Sequence, residues 1–219
     1  MFRQAMPRDK TDRYMTDEAL ARDPRAARTN AVEQALVRQY VQALPPGATV
    51  VDAPCGNGRM STLITQRGDL KLVALDYNFT MLQSMAVRDE PGGQPAGQLG
   101  GQLLARRLQG DILHLPLPPK CVDLFLNVRL MHHIPDRATQ VAMFREIARV
   151  ARGPVITSFW TTHCWRHVRK RMLAKPIKLY PVSPAHFREV CAEAGLTVER
   201  LVPVRRWIDK LTLAVCAVK

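Results

Sequence analysis

Apolar residues in this chain recur in two alternating patterns: short continuous runs, and stretches with an apolar residue every three or four positions. Short runs, some continuous and some interrupted by polar residues, predict strands over residues 48–53, 70–76, 103–109, 121–128, 153–160, 196–204 and 207–218. The helical spacings predict helices over residues 26–44, 58–66, 78–88, 137–151 and 183–194. Because strands and helices alternate, we predict an α/β fold with a mostly parallel seven-stranded sheet wrapped by helices.

The distribution of polar residues predicts the domain organisation. Residues 1–23 are polar and mixed in charge, so we predict a flexible N-terminal arm, and residues 24–219 suffice for a single domain with a sizeable core. The turn-rich segment 91–101 predicts a surface loop. The chain lacks an apolar run of the ~20 residues that cross a bilayer, and the residues after Met1 lack an apolar signal core. We therefore expect a cytoplasmic protein.

Cysteine and histidine usage favours neither a disulfide framework nor a metal site. The five cysteines form an odd, widely spaced set without a Cys-x-x-Cys pair, as expected in a reducing compartment. His163, Cys164 and His167 lie within five residues, but their spacing matches no standard zinc site. We therefore predict no bound metal.

The segment from Val50 to Arg59 carries the strongest candidate chemistry. An apolar run ends in Asp52 and is followed by Gly56 and Gly58, which predicts a strand that opens into a ligand-binding turn. A dinucleotide site would need a third glycine where the chain has Ser61, and the Asp52 carboxylate would repel a pyrophosphate. A ligand with an ammonium or sulfonium charge fits this turn better.

In these residues the chain resembles the class I S-adenosylmethionine-dependent methyltransferase family, whose first motif is acid-x-Gly-x-Gly-x-Gly at a strand end. Asp52, Gly56 and Gly58 match that motif, and Pro54 replaces the first glycine. The resemblance extends over roughly residues 25 to 219. It implies a doubly wound Rossmann-like sheet with an antiparallel last strand, S-adenosyl-L-methionine as cofactor, and a small-molecule acceptor as in quinone-biosynthesis methyltransferases.

The same resemblance implies a set of cofactor contacts. The family places an acid after the second strand, here Asp76, whose oxygens accept both ribose hydroxyls, and Asp111 would accept from the adenine amine. An acid at the end of the second strand also suits NAD, so Asp76 alone does not discriminate. The implied cofactor-binding residues are Asp52, Pro54, Gly56, Gly58, Asp76, Tyr77, Asp111, Ile112 and Asn127.

The loop after the fourth strand resembles the family's loop facing the transferable methyl group, and it contains His132 and His133. Either histidine could remove a proton from a phenol, alcohol or amine acceptor, and the resemblance favours His133 slightly. The alternative is that one histidine packs under the sheet edge and the other is merely exposed. Arg129 could bind an anionic acceptor or the cofactor carboxylate, or could pair with Asp136.

The net charge of +13 points to an anionic partner, and its placement is uneven. No acidic residue lies between Ile147 and Arg188. Within that stretch, Trp165, Val168 and Met172 have helical spacing, which predicts a basic amphipathic helix. The family resemblance implies that the surrounding region, about residues 161–182, is a lid over the acceptor. This basic helix has two interpretations. In the functional one, residues 161–178 contact the inner face of an anionic membrane peripherally. In the other, the helix is a solvated surface over ordinary core residues.

Two other functions stay open. A nucleic-acid methyltransferase could use the basic face on RNA or DNA, although the residues from Asn127 to Leu130 lack the Asn-Pro-Pro-Tyr tetrapeptide of many base-methylating enzymes. A catalytically silent cofactor-binding scaffold would tolerate loss of the acidic contacts, yet Asp52, Asp76 and Asp111 are all present. Small-molecule methylation is therefore the favoured prediction.

Overall fold

A computed structural model describes residues 24–87, 105–173 and 179–219 of the 219-residue chain. Its strands are β1 (Thr49–Asp52), β2 (Lys71–Asp76), β3 (Ala105–Gln109), β4 (Leu124–Asn127), β5 (Val155–Trp160), β6 (Leu196–Pro203) and β7 (Leu211–Val218). Its helices are α1 (Pro24–Ala43), α2 (Ser61–Thr65), α3 (Phe79–Val87), α4 (Arg137–Val150), α5 (Trp165–Met172) and α6 (Pro184–Glu193). The predicted arm, the 91–101 loop and residues 174–178 of the predicted lid lie outside the described residues.

All seven strands form one sheet in the order β3-β2-β1-β4-β5-β7-β6. The first five are parallel, and β7 is antiparallel to both β5 and β6. This confirms the predicted Rossmann-like sheet with its antiparallel last strand. The strand order reverses at β1, which pairs with β2 on one side and β4 on the other. Ligands of such sheets bind outside the carboxyl ends of the strands at this reversal.

Both faces of the sheet are covered by apolar packing, which explains the continuous apolar runs in the sequence. Successive residues of one strand point to opposite faces, so Val51 joins one buried cluster and Val50 the other. The first cluster includes Phe144 of α4 and the second includes Val37 of α1. Because both faces of the sheet are covered, a ligand can reach the sheet at the ends of its strands.

The last strand begins later than the sequence pattern predicts, at Leu211 rather than residue 207. Trp207 has a φ of 67°, which a continuous strand does not allow. The amides of Ile208 and Asp209 both donate to the carbonyl of Arg205, and the Arg205 guanidinium pairs with the Asp209 carboxylate at 2.8 Å. Residues 205–209 therefore form a closed turn between β6 and β7.

Candidate functional site

The turn after β1 is fixed to the strands on either side of it. The amide of Ala53 donates to the carbonyl of Leu126 and the amide of Cys55 donates to that of Leu75, both at 2.9 Å. The Ala53–Pro54 peptide bond is cis. Backbone hydrogen bonds to both β4 and β2 hold this turn over the carboxyl edge of the sheet.

The two glycines of the turn have different roles. Both have positive φ, 53° at Gly56 and 81° at Gly58. A Cβ on Gly58 would lie 2.6 Å from Cγ of Met85, so this glycine permits close packing against α3. A Cβ on Gly56 would meet nothing within 4 Å, so Gly56 borders open space. Ligand atoms can approach the backbone at Gly56.

Asp76 ends β2 beside that open space and is buried. Its Oδ2 accepts from the amide of Gly56 and its Oδ1 from the amide of Asn78, both at 2.8 Å. Burial raises the pKa of Asp76, opposed by these backbone hydrogen bonds. A carboxylate has about four acceptor positions, so acceptor capacity remains for a ribose hydroxyl beyond the backbone amides that it binds.

Asp52 is more deeply buried, with 2% of its surface exposed. The hydroxyl of Ser61 donates to its Oδ2 at 2.6 Å. Burial raises the pKa of Asp52 to about 6, while the Ser61 hydrogen bond and the Arg59 charge oppose the rise. Ser61 was not predicted as a site residue, although its signal was visible: it occupies the third-glycine position of the dinucleotide pattern.

Asn127, predicted to contact the cofactor, is fully buried at the end of β4. Its Nδ2 donates to the Ala53 carbonyl at 2.9 Å, and its Oδ1 accepts from the Thr157 hydroxyl at 3.1 Å. The Asn127 side chain therefore connects the turn after β1 to strand β5. A direct cofactor contact of Asn127 stays a prediction.

The segment after β3 lies beside Asp76. The amide of Gly110 donates to the Asp76 carbonyl at 3.1 Å, and Asp111 Oδ1 accepts from the amide of Leu113 at 2.9 Å. Asp111, Ile112 and Pro54 are all half-buried, whereas Tyr77 is exposed. Asp52 and Asp76 are thus the last residues of β1 and β2, and Asp111 comes shortly after β3, so the three acids lie at the carboxyl ends of three adjacent parallel strands.

A buried acid that the sequence analysis missed connects this edge to α1. Glu33 has no exposed surface, and its carboxylate accepts from Arg129 Nε at 2.8 Å and Nη2 at 2.7 Å. Arg59 Nη1 lies 2.7 Å from the same carboxylate. Glu33 precedes Val37 by four residues and Val41 by eight, so helical spacing places it on the buried face of α1 with them. That spacing is the sequence signal for the burial of Glu33.

Arg129 therefore pairs with Glu33, and the predicted alternative of pairing with Asp136 is wrong. Asp136 instead caps α4, accepting from the amide of Thr139 at 2.7 Å. The backbone of Arg129 has a φ of 65°, a conformation that costs a non-glycine residue roughly 1–3 kcal/mol. The Ser158 hydroxyl accepts its amide hydrogen at 2.7 Å. Side-chain and backbone contacts together hold the start of the histidine loop.

His132 lies in a short 3-10 helix over Met131–His133 and has 4% of its surface exposed. Its ring stacks on Trp160, with centroids 4.2 Å apart and planes 6° from parallel. Its Nδ1 has no hydrogen-bond partner among the described residues. Burial, with the neighbouring His133, Lys210 and Arg129 charges, lowers the pKa of His132 to about 2. Such a weakly basic ring is poorly suited to accept a proton near neutral pH.

His133 is half-buried, and its ring centroid lies 4.5 Å from that of His132. The structure thus brings both predicted histidines together at the end of β4, but in different surroundings. His132 matches the alternative of a histidine packed under the sheet edge, so His133 is the stronger candidate for a base. Its role stays a prediction.

Comparison with known proteins gives the same family assignment as the geometry. A family model described as "Methyltransferase domain" matches residues 51–154. A probable S-adenosylmethionine-dependent methyltransferase of Mycobacterium tuberculosis is 29% identical over 155 residues, covering 69% of this chain and 48% of the relative. The 2-methyl-6-phytyl-1,4-hydroquinone methyltransferase of Synechocystis sp. is 24% identical over 63% of this chain and 40% of its own length. The chain thus matches half or less of the length of these relatives.

Solved structures share the fold. Magnesium protoporphyrin IX methyltransferase from Synechocystis, with bound S-adenosylhomocysteine, superimposes with a TM-score of 0.71 at 16% identity, covering 89% of this chain and 85% of that one. Geranyl diphosphate C-methyltransferase from Streptomyces coelicolor has a TM-score of 0.65 at 13% identity, covering 86% and 79%. At these identities the likeness shows the fold alone.

The residues at the strand ends fit a nucleoside ligand with a cationic sulfur. Asp76 retains acceptor capacity for a ribose, Gly56 borders open space, and Asp52 supplies a buried acid under the turn. Sequence motifs, strand order, family model and relatives agree with this fit. Residues 51–154 therefore form a methyltransferase domain, and the chain has the fold of class I S-adenosylmethionine-dependent methyltransferases, which use S-adenosyl-L-methionine as cofactor.

Proposed function

We propose that the protein transfers the methyl group of S-adenosyl-L-methionine to a small-molecule or lipid-like, anionic acceptor. The observation that carries the proposal is Asp76, a buried carboxylate fixed by the amides of Gly56 and Asn78 beside the open space at Gly56. A carboxylate fixed in this way can select a ribose by its two hydroxyls.

Each residue of the carboxyl edge has a part in holding the cofactor. Asp76 accepts from the ribose hydroxyls, Asp111 accepts from the adenine amine, and Asp52 attracts the cationic amino-acid end from beneath the turn. The turn residues Pro54, Gly56 and Gly58 line the ligand with backbone. Tyr77 and Ile112 flank the base, and Asn127 supports the turn from below.

The cofactor, when bound, supplies a methyl group on a positively charged sulfur. In-line transfer would join this methyl carbon to the acceptor nucleophile as the carbon–sulfur bond breaks and its electron pair goes to sulfur. The chain's main task is therefore to hold the three atoms in line and exclude water. For an acceptor that is still protonated, His133 takes the proton, while neutral His132 braces the loop by its stack on Trp160.

The acceptor class is inferred from charge and from relatives. The relatives and neighbours are named for a phytyl hydroquinone, a magnesium porphyrin and geranyl diphosphate. The acid-free stretch from Ile147 to Arg188 suits an anionic group on such an acceptor. In this proposal residues 161–182 form the acceptor lid of a single domain spanning 24–219, and residues 161–178 contact an anionic membrane from the cytoplasmic side.

Calorimetry with S-adenosylhomocysteine and with NAD tests the cofactor assignment. We expect micromolar affinity for the first, roughly −8 kcal/mol, and no binding of NAD. Asp76→Ala should weaken cofactor binding by at least about tenfold because charged hydrogen bonds to the ribose are lost. Asp69→Ala is the matched control, since Asp69 pairs with Arg67 at the surface. Equal affinity in the two variants would refute the ribose assignment.

Transfer itself is tested with cofactor carrying a labelled methyl group, incubated with lipid extracts, aqueous metabolites or RNA. Label in an apolar or anionic small molecule supports the proposal. Label in RNA would establish the nucleic-acid alternative. Tight cofactor binding without labelling of any fraction would favour the scaffold alternative.

A further inference from the structure

The apolar residues of α5 are exposed, not packed on the core. Six of the nine large apolar side chains that are exposed in the described part of the chain lie on α5, just after it, or in the turn between β6 and β7. Trp165 and Trp207 are 60% and 62% exposed. We call this surface the tryptophan patch, and its members are Trp165, Val168, Met172, Leu173, Trp207 and Ile208. Exposed apolar patches of this kind mark interaction sites.

Backbone contacts hold the two halves of the patch together. The amide of Trp165, at the start of α5, donates to the carbonyl of Trp207 at 2.7 Å. The turn that carries Trp207 is closed by the Arg205–Asp209 ion pair. The patch is therefore one surface built from two distant segments of the chain.

The charges around the patch are cationic. Arg169 on α5 and Arg206 in the turn are exposed, and the Arg206 guanidinium lies 5.4 Å from the centre of the Trp207 ring. Asp209, the acid of the turn, is neutralised by Arg205, and α5 lies in the acid-free stretch. Exposed tryptophans with adjacent arginines match the boundary between an anionic headgroup layer and its acyl chains. No helix within the described ranges is long and apolar enough to cross a membrane.

The patch is also continuous with the histidine loop. The amide of Thr161 donates to the carbonyl of Lys210 at 2.6 Å, which connects β5 to the segment before β7. The amide of Val182 donates to the carbonyl of Trp160, and the amide of Tyr180 donates to the carbonyl of His132 at 3.0 Å. Docking of the patch would therefore set the orientation of the loop relative to the docked surface.

We infer that the tryptophan patch docks on the surface of an anionic lipid bilayer, with the β6–β7 turn as a second anchor beside α5. Docking presents the His132–His133 loop to an acceptor that resides in the bilayer, and this last step rests on the proposed function. The two tryptophans enter the interface while Arg169 and Arg206 contact lipid phosphates.

Flotation of the full chain with phosphatidylglycerol-containing vesicles and with neutral phosphatidylcholine vesicles tests the inference. Binding is expected to the anionic vesicles and to weaken with salt. The double variant W165S/W207S should bind about tenfold more weakly for each tryptophan removed. R169Q/R206Q should bind about fivefold more weakly for each cation removed. R38Q/R145Q, which removes the same charge from exposed positions elsewhere, should bind nearly as the parent protein does.

The outcomes separate docking from methyl transfer. Equal binding of the parent and W165S/W207S would overturn the patch, and so would equal loss in R169Q/R206Q and R38Q/R145Q. A dimer in sedimentation experiments that W165S/W207S abolishes, without vesicle binding, would assign the patch to a second copy of the chain and also overturn the inference. Cofactor binding is measured in the same samples. Its failure would refute the proposed function and leave vesicle docking to be judged on flotation alone.

Discussion

The cofactor edge and the tryptophan patch of this protein are built by opposite means. At the cofactor edge the acids are withdrawn from water and paired, Asp52 with the Ser61 hydroxyl and Asp76 with two backbone amides. In the tryptophan patch, apolar side chains such as Trp165 and Trp207 face solvent. The two acids of the first region have hydrogen-bond partners within the described residues, whereas the second region exposes apolar surface to solvent.

This difference explains how each region would select the molecule that it binds. A buried carboxylate with fixed hydrogen bonds can select a ligand by hydroxyl and charge geometry, because any misfit leaves a polar group unpaired. An exposed apolar patch selects a partner by area and charge, which tolerates many shapes. The cofactor can therefore be inferred from individual residues, while the acceptor is inferred only as a chemical class.

The largest expected effect lies where the two regions meet, at the histidine loop. His133→Ala should lower turnover by about 10²–10⁴ and leave cofactor affinity nearly intact, if His133 is the base. His114→Ala, which removes an exposed imidazole after β3, is the control. Turnover is measured on an acceptor found by label transfer. Full activity in both His133→Ala and His132→Ala would mean that orientation alone accelerates the reaction.

The next effect concerns the ion cluster that joins α1 to both regions. Glu33→Gln should lower the free energy of unfolding by about 3–5 kcal/mol, because two arginines lose their buried carboxylate. Glu189→Gln, at a surface pair with Arg137, should cost about 0–1 kcal/mol. Denaturant unfolding of both variants measures the difference. A similar small loss in both would show that the guanidiniums are stabilised by water instead of Glu33.

Asp52 provides a pH test of the cofactor edge. A pKa raised from 3.8 to about 6 means that ionised Asp52 destabilises the free protein by about 3 kcal/mol above pH 6, and that this penalty fades as pH falls to about 4. Asp52→Asn should therefore stabilise the free protein at pH 7.5 and have little effect near pH 4. The unfolding free energies of both proteins across this range measure the effect.

Asp52→Asn should also weaken binding of the cofactor. Parent affinity for S-adenosylmethionine should fall as pH drops through about 6, since the ionised carboxylate attracts the cation. Asp52→Asn should bind more weakly at pH 7.5 and lose that pH dependence. Calorimetry at several pH values measures the cofactor affinity of the parent protein and of Asp52→Asn. A variant that binds as tightly as the parent would exclude charge attraction at Asp52.

The smallest effect is expected at buried His132 in the histidine loop. Because its pKa is lowered to about 2, the folded protein keeps the ring neutral while the unfolded chain takes up a proton below pH 6.5. Stability is therefore lost as pH falls through 6.5, by about 2 kcal/mol at pH 5. His132→Phe keeps a ring on Trp160 and should remove this loss in denaturant titrations at pH 5 and 7.5. An unchanged pH dependence would show that His132 titrates normally.

The sequence by itself determined the sheet, the order of its elements and the acids at three strand ends. Those features are local: an apolar run specifies a buried strand, and Asp52 and Asp76 end such runs, while Asp111 comes two residues after the more polar strand β3. Parallel strands bring their carboxyl ends to one edge, so chain order alone predicts that these acids are neighbours. The comparisons confirm the family that this pattern indicated.

Only the tertiary structure decided which side chains meet across long separations in the chain. The Glu33–Arg129 pair spans 96 positions, and the Trp165–Trp207 contact joins a helix to a turn beyond two further elements. Helical spacing showed that Trp165, Val168 and Met172 share a face of α5, but not whether that face is buried. Burial depends on what the rest of the fold places against a helix, and here that face is left to solvent.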